Sequence, residues 1–299
     1  MLIGYSLQRI VVIAAAVIVA AAIVAAAGII VAYPLQAANP KPVDRSPDLR
    51  LLASNLEERI AGYVKVMELT GMMPEVRSTD SLSLVSTAQM GIPQDADVAK
   101  RQVAKNIIAT YGDDNVASIF FLTPEGNIYI GEPFEQQKQL PRLNYSDRDW
   151  YQGVSSTKEA YVSSVFMSAA IHEPAVAVAV PVYGQTAAGA EEKDNNIIGY
   201  WVAIINLDGI EKGLKQLEGS SRIIFVDHNG TEIADSARDP SAARTDLRSF
   251  SNLESVKAAL AGKSGSIVEV IDGKSMRVSY APVKAQPHTW AVVSMQPEG

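Results

Sequence analysis

Side chains able to do covalent chemistry are sparse in this 299-residue chain. There is no cysteine, which removes thiol catalysis, disulfides and cysteine metal sites together. The three histidines, His172, His228 and His288, stand far apart and share no metal-ligand spacing. No HExxH, GxSxG or phosphate-cradling glycine loop occurs, and the 33 acidic residues single out no acid–base pair. Neither an enzyme nor a bound cofactor or metal is expected. With 26 basic residues against those 33 acids the net charge is −7, and no basic stripe appears, so a nucleic-acid surface is excluded. One local cluster stands out: Asp147-Arg148-Asp149-Trp150-Tyr151-Gln152-Gly153-Val154. An Asp cap and two aromatics describe a short helix with its rings turned inward. In such a helix Arg148 can simply pair with Asp147 or another nearby acid, leaving Trp150 and Tyr151 as core.

The elements around this cluster read as an α+β chain. A helical stripe of Leu49, Leu52, Leu56, Ile60, Tyr63 and Met67 recurs at three and four residues. It needs a partner, either the domain's own sheet or the same helix of a second subunit in a parallel homodimer. A second helix is expected from Asp97 to Tyr111. A hairpin follows, with strands Ala117 to Leu122 and Ile128 to Ile130 about a Thr123–Asn127 turn. Tyr161 to Phe166, Ala175 to Tyr183 and Ile198 to Leu207 read as strands, with a polar loop from Gln185 to Asn196 and a helix from Asp208. The order then repeats in smaller form: a hairpin at Ile224 to Ala234, a helix at Asn252 to Leu260, and strands at Ser264 to Ile271, Ser275 to Tyr280 and Trp290 to Met295. The hairpins FFLTPEGNIYI and IFVDHNGTEIA echo each other, which points to two successive modules with antiparallel sheets.

Ahead of all this, Ile10 to Ala32 is almost entirely Ile, Val and Ala, and no charge falls between Ile10 and Pro40. At about 1.5 Å per residue the stretch reaches roughly 34 Å, enough to cross a hydrocarbon core of about 30 Å. Arg9 before the span sets the amino terminus in the cytoplasm and the rest outside. A cleaved signal peptide ending near Leu35-Gln36-Ala37 is the alternative, although the apolar run exceeds the usual h-region. Both readings export the remainder. The expected organisation is a cytoplasmic tail (1–9), a transmembrane helix (10–33), a juxtamembrane linker (34–47), a long stalk helix (48–75), a membrane-distal module (76–217) and a membrane-proximal module (218–297).

The order of these pieces resembles the double Cache family, tandem PAS-like sensor modules found outside the membrane. The residues carrying the resemblance are the helix after the span, the Phe120 to Ile130 hairpin, Tyr145 to Gly153, Tyr161 to Phe166, Ala179 to Tyr183, Gly199 to Asp208 and Trp290 to Val293. The resemblance implies signal transduction, as in chemoreceptors and histidine kinases, with a small-molecule pocket in the first module. Its amino-acid-binding members share Arg-x-Trp-Tyr, then Tyr-x-Asp, then an Asp near Gly199. Here Arg148, Trp150 and Tyr151 match the first element, while Tyr161 is followed by Ser163 rather than Asp, and Ile204 holds the last acidic position. The implied site is therefore Arg148, Trp150, Tyr151, Tyr161 and Ser163, taking a carboxylate in preference to an α-amino acid. Sensors of this kind return through the membrane to an output domain. None follows Trp290 to Met295 in this sequence, so a fragment, a separate signalling partner and a membrane-anchored scaffold with a degenerate pocket are all compatible with it.

Overall fold

A computed structural model of the protein describes residues 46–112, 114–184, 196–217, 221–239 and 244–298. The predicted span, its tail and nearly all of the linker lie outside these residues, as do residues 185–195 of the loop expected from Gln185 to Asn196. Among the described residues no helix is long and apolar enough to cross a membrane.

Helix α1 (Ser46–Gly71) opens the described chain. A short 3-10 turn (Leu82–Leu84) and α2 (Val98–Tyr111) follow, the latter capped by Asp97, whose side chain accepts from the Lys100 amide. Strands β1 (Val116–Leu122) and β2 (Ile128–Glu132) make the first hairpin. Then come α3 (Phe134–Gln139), α4 (Asp149–Thr157), β3 (Tyr161–Val162), β4 (Phe166–Met167), β5 (Pro174–Tyr183), β6 (Ile197–Asn206) and α5 (Asp208–Lys215). The first sheet runs β2-β1-β6-β5-β3, with β4 also on β5, and every pair is antiparallel.

The second sheet is built from β7 (Arg222–Val226), β8 (Glu232–Asp235), β9 (Gly265–Ile271), β10 (Lys274–Ala285) and β11 (His288–Pro297), in the order β8-β7-β11-β10-β9. Helix α6 (Glu254–Leu260) covers one face through Val256 and Ala259, packed with Ile224, Val226, Val278 and Val293.

Two expectations change. The anticipated stalk is a packed layer: α1 lies against β5 and β6 of the first sheet and β10 and β11 of the second. Leu49, Leu56, Ile60, Tyr63 and Met67 are buried there, the Trp201 indole donates to Thr70 Oγ1 at 3.0 Å, and the Lys284 amide donates to Glu57 Oε1 at 2.8 Å. The apolar stripe therefore meets the chain's own sheets. The strand anticipated from Tyr161 to Phe166 is two short pieces. The amides of Ser164 and Val165 between them donate to the carboxylates of Asp149 and Asp227, which takes them out of a strand ladder.

Candidate functional site

The first sheet supplies one wall of a small cavity through Phe120 on β1, Ile128 on β2 and Ile204 on β6. Tyr145, Arg148 and Trp150 enter from the loop and first turn of α4, and Phe166, Ser168, Ala169 and Ala170 from β4 and the turn after it. The cavity itself is small, about 30 Å³, and lies in a cleft of about 350 Å³ that includes the open solvent at its mouth. Its position follows from the hairpin. The Gly126 carbonyl accepts from the Tyr145 amide at 2.8 Å, so the chain entering α4 is fastened to the β1–β2 turn.

Arg148 is the N-cap of α4, in an extended conformation that makes no side-chain cap bond. The pairing that would make it purely structural is not formed. Both oxygens of Asp147 accept from Arg142, at 2.6 and 2.8 Å, and that bond holds the Asp147 carboxyl below the usual carboxylate range. The Arg148 guanidinium sits 5.5 Å from the Phe166 ring centroid and 6.0 Å from that of Tyr145. Among the described residues no carboxylate forms an ion pair with it. Arg148 is the only formally charged residue in the lining.

Two further donors lack partners. Trp150 Nε1 and the Tyr145 hydroxyl are buried and make no hydrogen bond, although both residues line the cavity. Burial pushes the Tyr145 phenol up, which keeps its proton in place as a donor. Ser168 Oγ accepts from the Ala170 amide at 3.3 Å and retains its own proton. The lining is thus rich in donors, contains no acid, and is otherwise apolar.

Of the five residues expected at the site, Arg148 and Trp150 meet in this cavity. Tyr151 lies beside it, edge-on to Tyr200 with centroids 5.2 Å apart, its hydroxyl donating to the Pro124 carbonyl. Tyr161 faces the other way and shares a 2.9 Å hydrogen bond with His288 Nε2. Ser163 is buried, accepting from the Ala177 amide at 2.8 Å and donating to the Ser164 carbonyl at 2.6 Å, so it fastens backbone. Ile204, at the position where an acid was expected, lines the cavity. Tyr145, Phe166 and Ser168 were missed as lining. Tyr145 carried a usable signal, lying one turn before Arg148, whereas the approach of Phe166 and Ser168 depends on the β4–β5 turn.

A long helix shared by two tandem antiparallel sheets, with a donor-lined cavity beside one of them, defines a tandem PAS-like α+β protein. A Cache domain model, dCache_1, matches residues 45–299, and the chain belongs to that family. The fold is shared with chemoreceptor ligand-binding domains. That of Pseudomonas fluorescens CtaA in complex with L-isoleucine is 14% identical, with a TM-score of 0.58 over 85% of this chain and 93% of that one. That of Pseudomonas aeruginosa PAO1 PctB with L-Arg is 16% identical, with a TM-score of 0.59 over 85% and 96%. That of PctC from the same organism with GABA is 18% identical, with a TM-score of 0.55 over 85% and 100%. No curated protein matches the chain.

Proposed function

We propose that this protein is a membrane-anchored sensor whose 76–217 module faces the outside of the cell and binds a small carboxylate lacking an ammonium group. The observation that carries the reading is the Arg148 guanidinium, without an ion-pair partner, in a cavity that holds no acid. Isoleucine, arginine and GABA, bound by the three relatives, all carry a carboxylate, and here Arg148 with Trp150 Nε1 offers a charge-assisted seat for one. All three also carry an amino group. The wall of Ile204, Phe120 and Ile128 gives an ammonium nothing to donate to, at a cost of about 1–3 kcal/mol or more for a buried unmet charge. Phe166, Ile128 and Leu140 suit a short apolar tail instead. Ligand occupancy is passed on through the membrane anchor or through a separate signalling partner.

The test is calorimetry on the full chain in lipid nanodiscs, with short monocarboxylates set against the matching L-amino acids. Saturable binding of a monocarboxylate, weaker by at least tenfold for its α-amino analogue, is the expected result. Tight binding of an ordinary L-amino acid would overturn the reading.

A further inference from the structure

The segment from Tyr161 to Phe166 touches the cavity on one side and the second sheet on the other. Toward the cavity, Phe166 is part of the lining, and Asp149 Oδ2 on α4 accepts from the Ser164 amide at 3.0 Å and its hydroxyl at 2.7 Å. The Tyr161 ring lies directly on Gly153 of α4, where an added Cβ would come within 2.3 Å of it. Toward the second sheet, the Val162 amide donates to the Gln286 carbonyl at 2.9 Å and the Val165 amide to Asp227 Oδ2 at 2.7 Å. Tyr161 meets His288, and the His288 ring stacks on His228 with centroids 3.8 Å apart and planes at 16°. His228 belongs to the β7–β8 turn, and His288 opens β11.

We propose that His228 and His288 form a proton-operated latch that fastens the Tyr161–Phe166 segment, and with it one wall of the cavity, to the second sheet while both imidazoles are neutral. Three features make protonation open it. Two imidazolium rings at this stacking distance repel each other. The acidic groups acting on His288 are Asp149 from α4 and Asp227 from the β7–β8 turn, the same carboxylates that hold Ser164 and Val165. A charged His288 competes with those backbone amides for both. His228 Nδ1 is buried with no hydrogen-bond partner, so a proton added there is a donor with nothing to receive it.

Burial, reinforced by His228, lowers the His288 imidazole below its ordinary value, against the opposing pull of Asp149 and Asp227. A folded-state value below the unfolded one means that the neutral, latched form is stabilising above about pH 6.5, and that this contribution is lost as pH falls below it. The latch itself requires no ligand. Its consequence, weaker carboxylate binding in acid, rests on the reading of the cavity given above.

Amide exchange followed by NMR on the full chain in nanodiscs, at pH 7.5 and 5.5 and corrected for intrinsic rates, tests it without any ligand. The expected result is at least a tenfold loss of protection at Val162 and Val165 in acid, with Val202 and Val292 unchanged. A double variant, His228→Phe with His288→Phe, should show no such pH dependence. An equal acid loss in that variant assigns the effect to the carboxylates and overturns the latch, as does unchanged protection in the wild type. Imidazole titration in the wild type supplies a check that needs no variant: a His288 that titrates at or above the ordinary histidine value also overturns it.

Discussion

In the first sheet the Thr123 amide donates to the Asn127 carbonyl, Gly126 to Thr123, and Tyr145 to Gly126; in the second, Asp227 donates to Thr231, Gly230 to Asp227, and Phe250 to Gly230. The correspondence continues into the helices. The Arg148 amide bonds the Tyr145 carbonyl as Leu253 bonds Phe250, and each of the two is the extended N-cap of its helix. At the position where the first module exposes a guanidinium to a cavity, the second places an apolar side chain, and Trp150 is answered by Ser255. Ser255 is fully satisfied, its amide and hydroxyl both donating to Glu269. One backbone device has been given two uses. Beside the helix start of the first copy the Arg148 guanidinium and Trp150 Nε1 are left unmet at a cavity, while the matching positions of the second hold Leu253 and a satisfied Ser255. The turns differ in a complementary way, because the Thr123 hydroxyl accepts only the Asn127 amide whereas the Asp227 carboxylate accepts three amides, one of them Val165 across the boundary.

That comparison can be broken most forcefully at Asp227. Replacing it with Ala leaves three donors unmet, and chemical denaturation should show a loss of about 3–5 kcal/mol, against about 1 kcal/mol or less for Thr123→Ala. Next is Arg148→Leu, which writes the second module's residue into the first. Calorimetry should show carboxylate affinity falling by about 3 kcal/mol, over a hundredfold, while circular dichroism stays unchanged. The shared turn predicts equal effects from Gly126→Ala and Gly230→Ala. Both glycines are left-handed, at φ 85° and 76°, and an added Cβ would lie 2.8 Å from Ser146 and 2.7 Å from Ser251. Each should cost about 2 kcal/mol in thermal unfolding, and a clear inequality would mean the turns are not equivalent.

The smallest effect concerns acid. Asp235, opposite Ile224, is buried, which alone would raise its carboxyl, but the forked bond from Arg222 at 3.0 and 2.5 Å holds it below the usual range. Gly131 stands at the matching place opposite Phe120. A lowered folded-state value adds stability that is complete above about pH 4 and lost as pH falls through that value. Arg222→Met should move the acid-unfolding midpoint up by roughly a few tenths of a pH unit, with no change near neutrality.

The hairpins, the central strands and α6 were legible because each is a run of Val, Ile and aromatics bounded by turn residues or a helix stripe, and local chemistry sufficed. Arg148 and Trp150, which both line the cavity, belong to one contiguous motif that carries the family resemblance. Tyr161 and Ser163 matched the same pattern, yet their contacts are set by partners more than a dozen residues away, His288 and Ala177, that local sequence does not specify. The split of Tyr161 to Phe166 into two pieces had the same cause, since Asp227 lies in the other sheet. The stripe on α1 shows that the helix needs a partner, but periodicity is silent on which surface provides it.

The placement of α1 has a consequence for how the chain is made. It is the first described element to leave the ribosome, and its buried face is shared by β5 and β6 with β10 and β11. The last of those strands are synthesised roughly two hundred residues later. Until then the part of α1's buried face that packs on β10 and β11 is uncovered, so the nascent chain carries exposed apolar surface through most of its translation. Finishing the second sheet is thus also the step that shelters α1, and a ribosome stalled before β10 would hold a product whose first sheet is complete and whose first described helix is still half bare.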